Sequence, residues 1–253
     1  MTFISIAMRN SLEKKPLRLV LLNLLFDAPA GGGALEVCMQ ILVFGAHPDD
    51  AEIGVGGTVA AYAQRGHRVV IVNLRIPGGP DDASSEQKAR RRREGEHAAA
   101  LLGAELITFD LQRDAINAGG RLVGVMDRLI ADIRPDTIYT HWVGDSHPEH
   151  VATSRAVFAA TRRNRCSVYM YEATIPGGIT PQRFRAQKFV DISDTIDAKL
   201  DSLRAYETQL ESYGEPWVEA IKGRAAHRGF QIGARYAEAF EVVKYICPIE
   251  LAS

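Results

Sequence analysis

The sequence predicts an α/β fold: a Rossmann-like, mostly parallel sheet with helices on both faces, plus a smaller C-terminal α+β portion that completes the site. Short runs of β-branched and aromatic residues alternate with stretches of helical length from residue 40 onward. Runs of this kind have the near-continuous apolar character of strands buried on both faces. Two of them end in polar turns carrying histidine and carboxylate, and the carboxyl ends of parallel strands are where such sheets build sites.

The first 38 residues fit this rhythm poorly. The apolar run over 17–26 falls short of the roughly 20 residues that span a bilayer, so no integral membrane segment is expected. It has the length of a signal-peptide core, with Lys14, Lys15 and Arg18 before it and Ala28-Pro29-Ala30 after it. An N-terminal extension or an over-long start is the preferred reading, because Met39 directly precedes the first convincing strand. The protein is then cytoplasmic, and a secretion signal within 1–30 is the reading that stays open beside it. Gly31–Gly33 reads as a flexible joint, and 39–250 as a single domain.

Within that domain a strand over 41–45 leads to a helix over 56–65 that Gly66 stops, then a strand over 68–74. The loop over 76–85 is dense in turn residues. A helix over 86–102 ends at Gly103, and a strand over 105–109 follows. The helix over 120–133 stops before Pro135, and strand 137–140 leads to helix 149–163 and strand 167–171. Beyond 172 the rhythm changes: an edge strand over 188–191, helices over 193–206 and 215–226, and a last strand over 239–245.

Apolar residues make up 46% and charged residues 24% of the chain, as in ordinary globular proteins. A formal net charge of −1 argues against charge-driven nucleic-acid or membrane binding. Cys38, Cys166 and Cys247 lie far apart without a CxxC pair, so any metal is held by nitrogen and oxygen.

The chemistry sits in Ala46-His47-Pro48-Asp49-Asp50-Ala51-Glu52 and in His147-Pro148-Glu149-His150. Two imidazoles three apart at one strand's end and His-x-Asp-Asp at another's supply metal ligands of the type found in catalytic sites with an open position. Iron or manganese would also accept such ligands, so a divalent metal is expected more firmly than its identity. Taken singly, each loop is also explained by proline turns and acidic helix caps, but that reading does not explain why both carry histidine. His67 and His97 read as structural, His141 as orienting the site from behind, and His227 as either. A dinucleotide site is disfavoured because Gly54-Val55-Gly56-Gly57 lacks the G-x-G-x-x-G spacing and three acids would repel a pyrophosphate. No G-x-S-x-G nucleophile elbow is present.

The two motifs together resemble the PIG-L/LmbE family of zinc-dependent N-deacetylases. Arg91-x-x-Glu94 with Ala98-Ala-Ala-Leu-Leu-Gly103, and the late run from Arg228 to Phe240, support the same resemblance. It implies His47, Asp50 and His150 as ligands of Zn2+, Asp49 as general base, and His147 as a cationic partner of the oxyanion that helps protonate the leaving amine. The family more often has Asp where this chain has Glu149, a difference expected to bear on how His147 is oriented. The implied activity is removal of an acetyl group from an N-acetylated amino sugar of GlcNAc type, a small-molecule substrate. An amidase for a larger acyl or thiol conjugate, or a non-catalytic metal- or sugar-binding relative, are the rival readings. Substrate-facing expectations are Arg91, which resembles a family arginine, and Asp114; the 76–86 loop could close over a sugar. Relatives are often assemblies of several subunits, which leaves a homo-oligomer open.

Overall fold

In a computed structural model, residues 38–77, 85–117, 119–173 and 178–247 are described. All but the last residue of the expected extension, and most of the 76–86 loop, lie outside them. The elements run β1 (Gln40–Gly45), α1 (Asp50–Gln64), β2 (Arg68–Asn73), α2 (Ser85–Leu101) and β3 (Glu105–Thr108). Next come α3 (Arg113–Asn117), α4 (Gly120–Ile133), β4 (Thr137–His141), α5 (Pro148–Thr161) and β5 (Ser167–Tyr171). The chain continues with β6 (Lys188–Asp191), α6 (Ile196–Arg204), α7 (Glu207–Tyr213), α8 (Glu215–Phe230) and β7 (Ala237–Lys244).

The strands form one seven-stranded sheet in the order β3-β2-β1-β4-β5-β7-β6. β1 to β5 are parallel, while β7 runs antiparallel to both β5 and β6. Period-two alternation sorts β1 between two cores. Leu42 and Phe44 pack with Val70, Val72 and Ile138 against Met126 of α4 and Val157 of α5. Ile41 and Val43 turn the other way, onto Val55 and Val59 of α1 and Ala99 of α2. Each such side chain contributes about 1.5–3 kcal/mol of burial, so the register of β1 is strongly set. A third cluster joins Ile53 of α1 and Ala98 of α2 to Leu200, Leu203, Trp217 and Ile221 of α6 and α8. The C-terminal portion therefore completes the same sheet and covers α1 from outside. No helix among the described residues is long and apolar enough to cross a membrane.

The main departure from expectation is α1, which begins at Asp50 rather than near 56. The glycines at its start serve close packing. A Cβ at Gly54 would lie 2.1 Å from Cδ2 of Tyr171, and one at Gly57 would lie 2.7 Å from Cδ1 of Ile192. The short helices α3 and α7 were not anticipated. Seven residues make a poor helix alone, and α7 is held by tertiary contacts: Glu94 accepts from the Thr208 amide at 3.1 Å and from its hydroxyl.

Candidate metal centre

β1 and β4 are neighbours, paired Ile41 with Thr137, Leu42 with Ile138 and Val43 with Tyr139. β1 continues outward to β2 and β4 to β5, so the order reverses between them, and that reversal opens a crevice beyond their carboxyl ends. The His47–Asp50 turn leaves β1 into this crevice, and His141 to His150 leave β4 into it. The register thus brings together side chains a hundred residues apart.

Four donor atoms from three side chains converge. His150 Nε2 lies 3.3 Å from His47 Nδ1 and 3.2 Å from Asp50 Oδ1, while His47 Nδ1 lies 3.5 Å from Asp50 Oδ2. A tetrahedral ion with bonds of 2.0–2.1 Å holds its ligands roughly 3.3–3.4 Å apart, so this spacing fits one. The outer nitrogens are also fixed. His150 Nδ1 meets Asp145 Oδ2 at 3.0 Å, and His47 Nε2 meets Glu149 Oε2 at 2.5 Å. A carboxylate behind each imidazole orients the ring so that its inner nitrogen faces the cluster, the support that metal-ligating histidines receive. The donor chemistry and the spacing both fit a divalent transition metal.

His141, His147 and Asp49 surround this triad. His141 is fully buried, stacks on the His150 ring at 4.0 Å, and accepts the Ala46 amide on Nε2 at 3.0 Å. That bond occupies the nitrogen facing Asp50 Oδ2, 3.2 Å away, so His141 supports the cluster from behind as expected. His147 is the N-cap of α5: its Nδ1 accepts the Glu149 amide at 3.2 Å, leaving Nε2 to carry the proton. Asp49 sits at φ 99, in the left-handed region, and its carboxylate meets different partners from that of Asp50. The Asp49 carboxylate accepts from Gln209 Nε2 of α7 and lies 3.7 Å from Arg91 Nη2.

The electrostatics divide the cluster. Burial opposes ionisation of Asp50, but His150 and His141 outweigh it and hold its carboxyl well below the usual range. Burial and the charge on Asp50 lift Asp49 to about 7, against the pull of Arg91, His47 and Gln209. Burial would lower His150, yet Asp50 and Asp145 raise it to about 10. Burial and the neighbouring His150 and His47 push His147 down to about 4. Burial, with charge on the two neighbouring imidazoles, thus disfavours an imidazolium at 147 while the cluster holds no ion.

Of the remaining expectations, Arg91 is brought to the site and Asp114 is not. Asp114 is exposed on α3, and its neighbour Arg113 reaches the cluster instead, with Nε 3.2 Å from Glu149 Oε1. Glu149 meets two histidines: its carboxylate lies on His47 Nε2, with Arg75 Nη1 4.0 Å away, and its backbone amide donates to His147 Nδ1. His67, His97 and His227 lie outside the cluster. Gln209, Asp145 and Arg75 were not anticipated; only Asp145, two residues before His147, carried a local signal.

Residues 42–161 match the family model PIG-L: GlcNAc-PI de-N-acetylase. The chain is 26% identical over 237 residues to the 1D-myo-inositol 2-acetamido-2-deoxy-alpha-D-glucopyranoside deacetylase of Mycobacterium sp. (strain JLS), covering 69% of this chain and 75% of that one. It is 28% identical over 235 residues to the diacetylchitobiose deacetylase of Thermococcus kodakarensis, covering 83% of this chain and 86% of the enzyme. Among solved structures, the conserved protein TT1542 from Thermus thermophilus superposes with a TM-score of 0.71 at 23% identity, over 85% of this chain and 99% of that one. GalB, the 4-carboxy-2-hydroxymuconate hydratase of Pseudomonas putida KT2440, does so at 0.67 and 21%, over 85% and 100%. At these identities the superpositions establish the shared fold.

Proposed function

We propose, from the premise that residues 42–161 are a PIG-L family domain, that this chain is a metal-dependent hydrolase removing the acetyl group from an N-acetylated amino sugar. The observation that carries the reading is the convergence of His47 Nδ1, Asp50 and His150 Nε2 beside the buried Asp49 carboxylate, which Gln209 engages. The sugar-type substrate follows the activities of the two sequence relatives, whose alignments span most of both chains.

In this reading His47, Asp50 and His150 hold the ion, for which we favour zinc. When bound, it supplies a Lewis acid for the amide oxygen and makes a water acidic near neutral pH. Asp49 takes a proton as that water attacks the acyl carbon, a role suited to a carboxylate whose pKa lies near the working pH. Gln209 and Arg91 hold its carboxylate in place. His147, tied through Nδ1 to the Glu149 amide, offers Nε2–H to the oxygen that gains charge. Collapse breaks the carbon–nitrogen bond, and the proton on Asp49 passes to the departing nitrogen, giving a free amine and acetic acid, which ionises to acetate by releasing the water's second proton. A neutral His147 is a poor proton donor, so the same carboxylate serves as base and then acid.

The test is acetate release from a panel of N-acetyl sugars and conjugates, assayed with added zinc and after chelation. Metal-dependent release from at least one GlcNAc derivative is expected. A zinc-loaded protein that hydrolyses none of them, yet cleaves larger acyl amides, would overturn the acetyl assignment.

A further inference from the structure

One turn of α1 is wired to the C-terminal layer by side chains rather than by its own ladder alone. Glu238 of β7 accepts two consecutive mid-helix amides, Gly57 at 3.0 Å and Thr58 at 2.8 Å. The Ile53 carbonyl, the normal partner of the Gly57 amide, receives Lys199 Nζ of α6 at 3.0 Å and Arg224 Nη2 of α8 at 2.8 Å. Thr195 donates its hydroxyl to the Gly57 carbonyl at 2.8 Å. Lys199 and Glu238 also pair directly, and both are buried, at 2% and 4% exposure. An ion pair so deeply buried is a weak source of stability, since well-packed apolar residues would commonly serve as well. Apolar residues could not partner these backbone groups.

The wired turn adjoins the base. The Ile53 amide donates to the Asp49 carbonyl at 2.9 Å, so this residue is held from Asp49 on one side and from Lys199 and Arg224 on the other. Asp49 has φ 99, and a non-glycine residue keeps that conformation only where its surroundings over-determine it. We infer that Lys199, Glu238 and Arg224 are positioning residues, which hold the Ile53–Thr58 turn so that Asp49 stays left-handed and Asp49 and Asp50 face different partners. The inference rests on the metal-hydrolase reading above, and it gives the C-terminal layer a part in the chemistry at one remove.

The experiment uses the full chain loaded with Co2+, whose visible absorption reports ligand geometry, together with chelator competition for metal affinity, thermal midpoint, kcat and KM. Glu238→Gln and Lys199→Met are compared with the charge-balanced double variant Lys199→Met/Glu238→Gln. Metal affinity is expected to fall about 10- to 100-fold in each single variant, the range for lost support behind a ligand, with a changed cobalt spectrum and kcat falling more than KM rises. In the double variant the thermal midpoint should recover, because no unpaired charge is buried, while the spectrum and kcat remain impaired. Thr195→Val, which removes one hydroxyl without burying a charge, should shift the same readouts by about 2- to 5-fold and covers the case where the charged variants do not fold. If the double variant regains spectrum and kcat along with its midpoint, or folded single variants and Thr195→Val match the parent, the pair is only structural and the inference falls. A parent protein that takes up no cobalt would instead remove the metal reading itself.

Discussion

Asp49→Asn separates base chemistry from metal binding, and the local geometry makes it a clean perturbation. The residue sits at φ 99, and asparagine is among the few L residues that tolerate the left-handed region. The substitution keeps shape and backbone, and removes one charge beside Asp50. Asp49 makes no approach to His47 or His150 like those that join the inner triad; its carboxylate is engaged by Gln209 and faces Arg91. Metal affinity should therefore stay within about 3-fold, which is less than 1 kcal/mol. Loss of a positioned base costs about 10²–10⁴-fold in kcat, or roughly 2.7–5.5 kcal/mol. The pH profile gives a second reading. A base must be deprotonated, so kcat/KM falls on the acid side as Asp49 takes up a proton, with a limb at or below about 7. The sign of the metal's effect is downward, because a dication on Asp50 cancels the repulsion that helps lift Asp49. Steady-state acetate release from pH 5 to 9, paired with metal content by elemental analysis, checks both points, and Asp49→Asn should lose the acid limb. A variant within about 10-fold of the parent, or one that sheds its metal in step with its activity, would show that Asp49 is not the base.

Other outcomes follow from single contacts. Glu149→Gln removes the carboxylate behind His47 Nε2 and should weaken metal affinity about 10- to 100-fold in chelator competition; unchanged affinity would mean the contact is incidental. Gly54→Ala places a methyl 2.1 Å from the fully buried Tyr171 ring, so overpacking of about 1–3 kcal/mol or more should lower the thermal midpoint by several degrees. Saturating metal at about 100 times its Kd adds about 2.7 kcal/mol, so EDTA should lower the midpoint by about 5–10 °C in calorimetry.

Much of this was legible because it is written locally. Strands such as 167–171 announce themselves by composition, and two histidine motifs at strand ends announce a site. What was not legible depends on contacts distant in sequence. Gly54, Gly56 and Gly57 signal a breaker in any local reading, yet the packing of Tyr171, Ile192 and Lys199 against them makes them helical. Gln209 lies in a helix that exists because Glu94 and Arg90 dock it: Glu94 takes Thr208, and Arg90 bonds Glu211 at 2.7 Å and Glu207 at 3.2 Å. Nothing within residues 205–213 points to Asp49. The contact of Glu149 with His47 was not legible either, because a side chain in a helix's first turn can project across the crevice to a residue distant in sequence.

The same scaffold carries a hydratase as well as deacetylases, so the fold alone does not choose the reaction. Hydration and amide hydrolysis both need an activated water, but only hydrolysis must also expel a nitrogen and protonate it. The proton's carrier is thus the feature that makes this cluster a candidate amidohydrolase. Two carriers are available, Asp49 and His147, and their surroundings decide between them. Burial and the charge on Asp50 raise Asp49 to about 7, which favours it as the carrier, while burial and the neighbouring His150 and His47 lower His147 to about 4, which favours a neutral ring. A neutral ring contributes one N–H to the oxyanion, and a glutamine side chain can contribute the same. His147→Gln should therefore retain kcat within about 10-fold, whereas His147→Phe, which offers no donor, should lose about 10²–10³-fold. Both variants forfeit the same imidazole N-cap, so the comparison between them is largely free of that cost. If His147→Gln proves as inactive as His147→Phe, the imidazole is exchanging a proton and Asp49 does not complete the cycle alone.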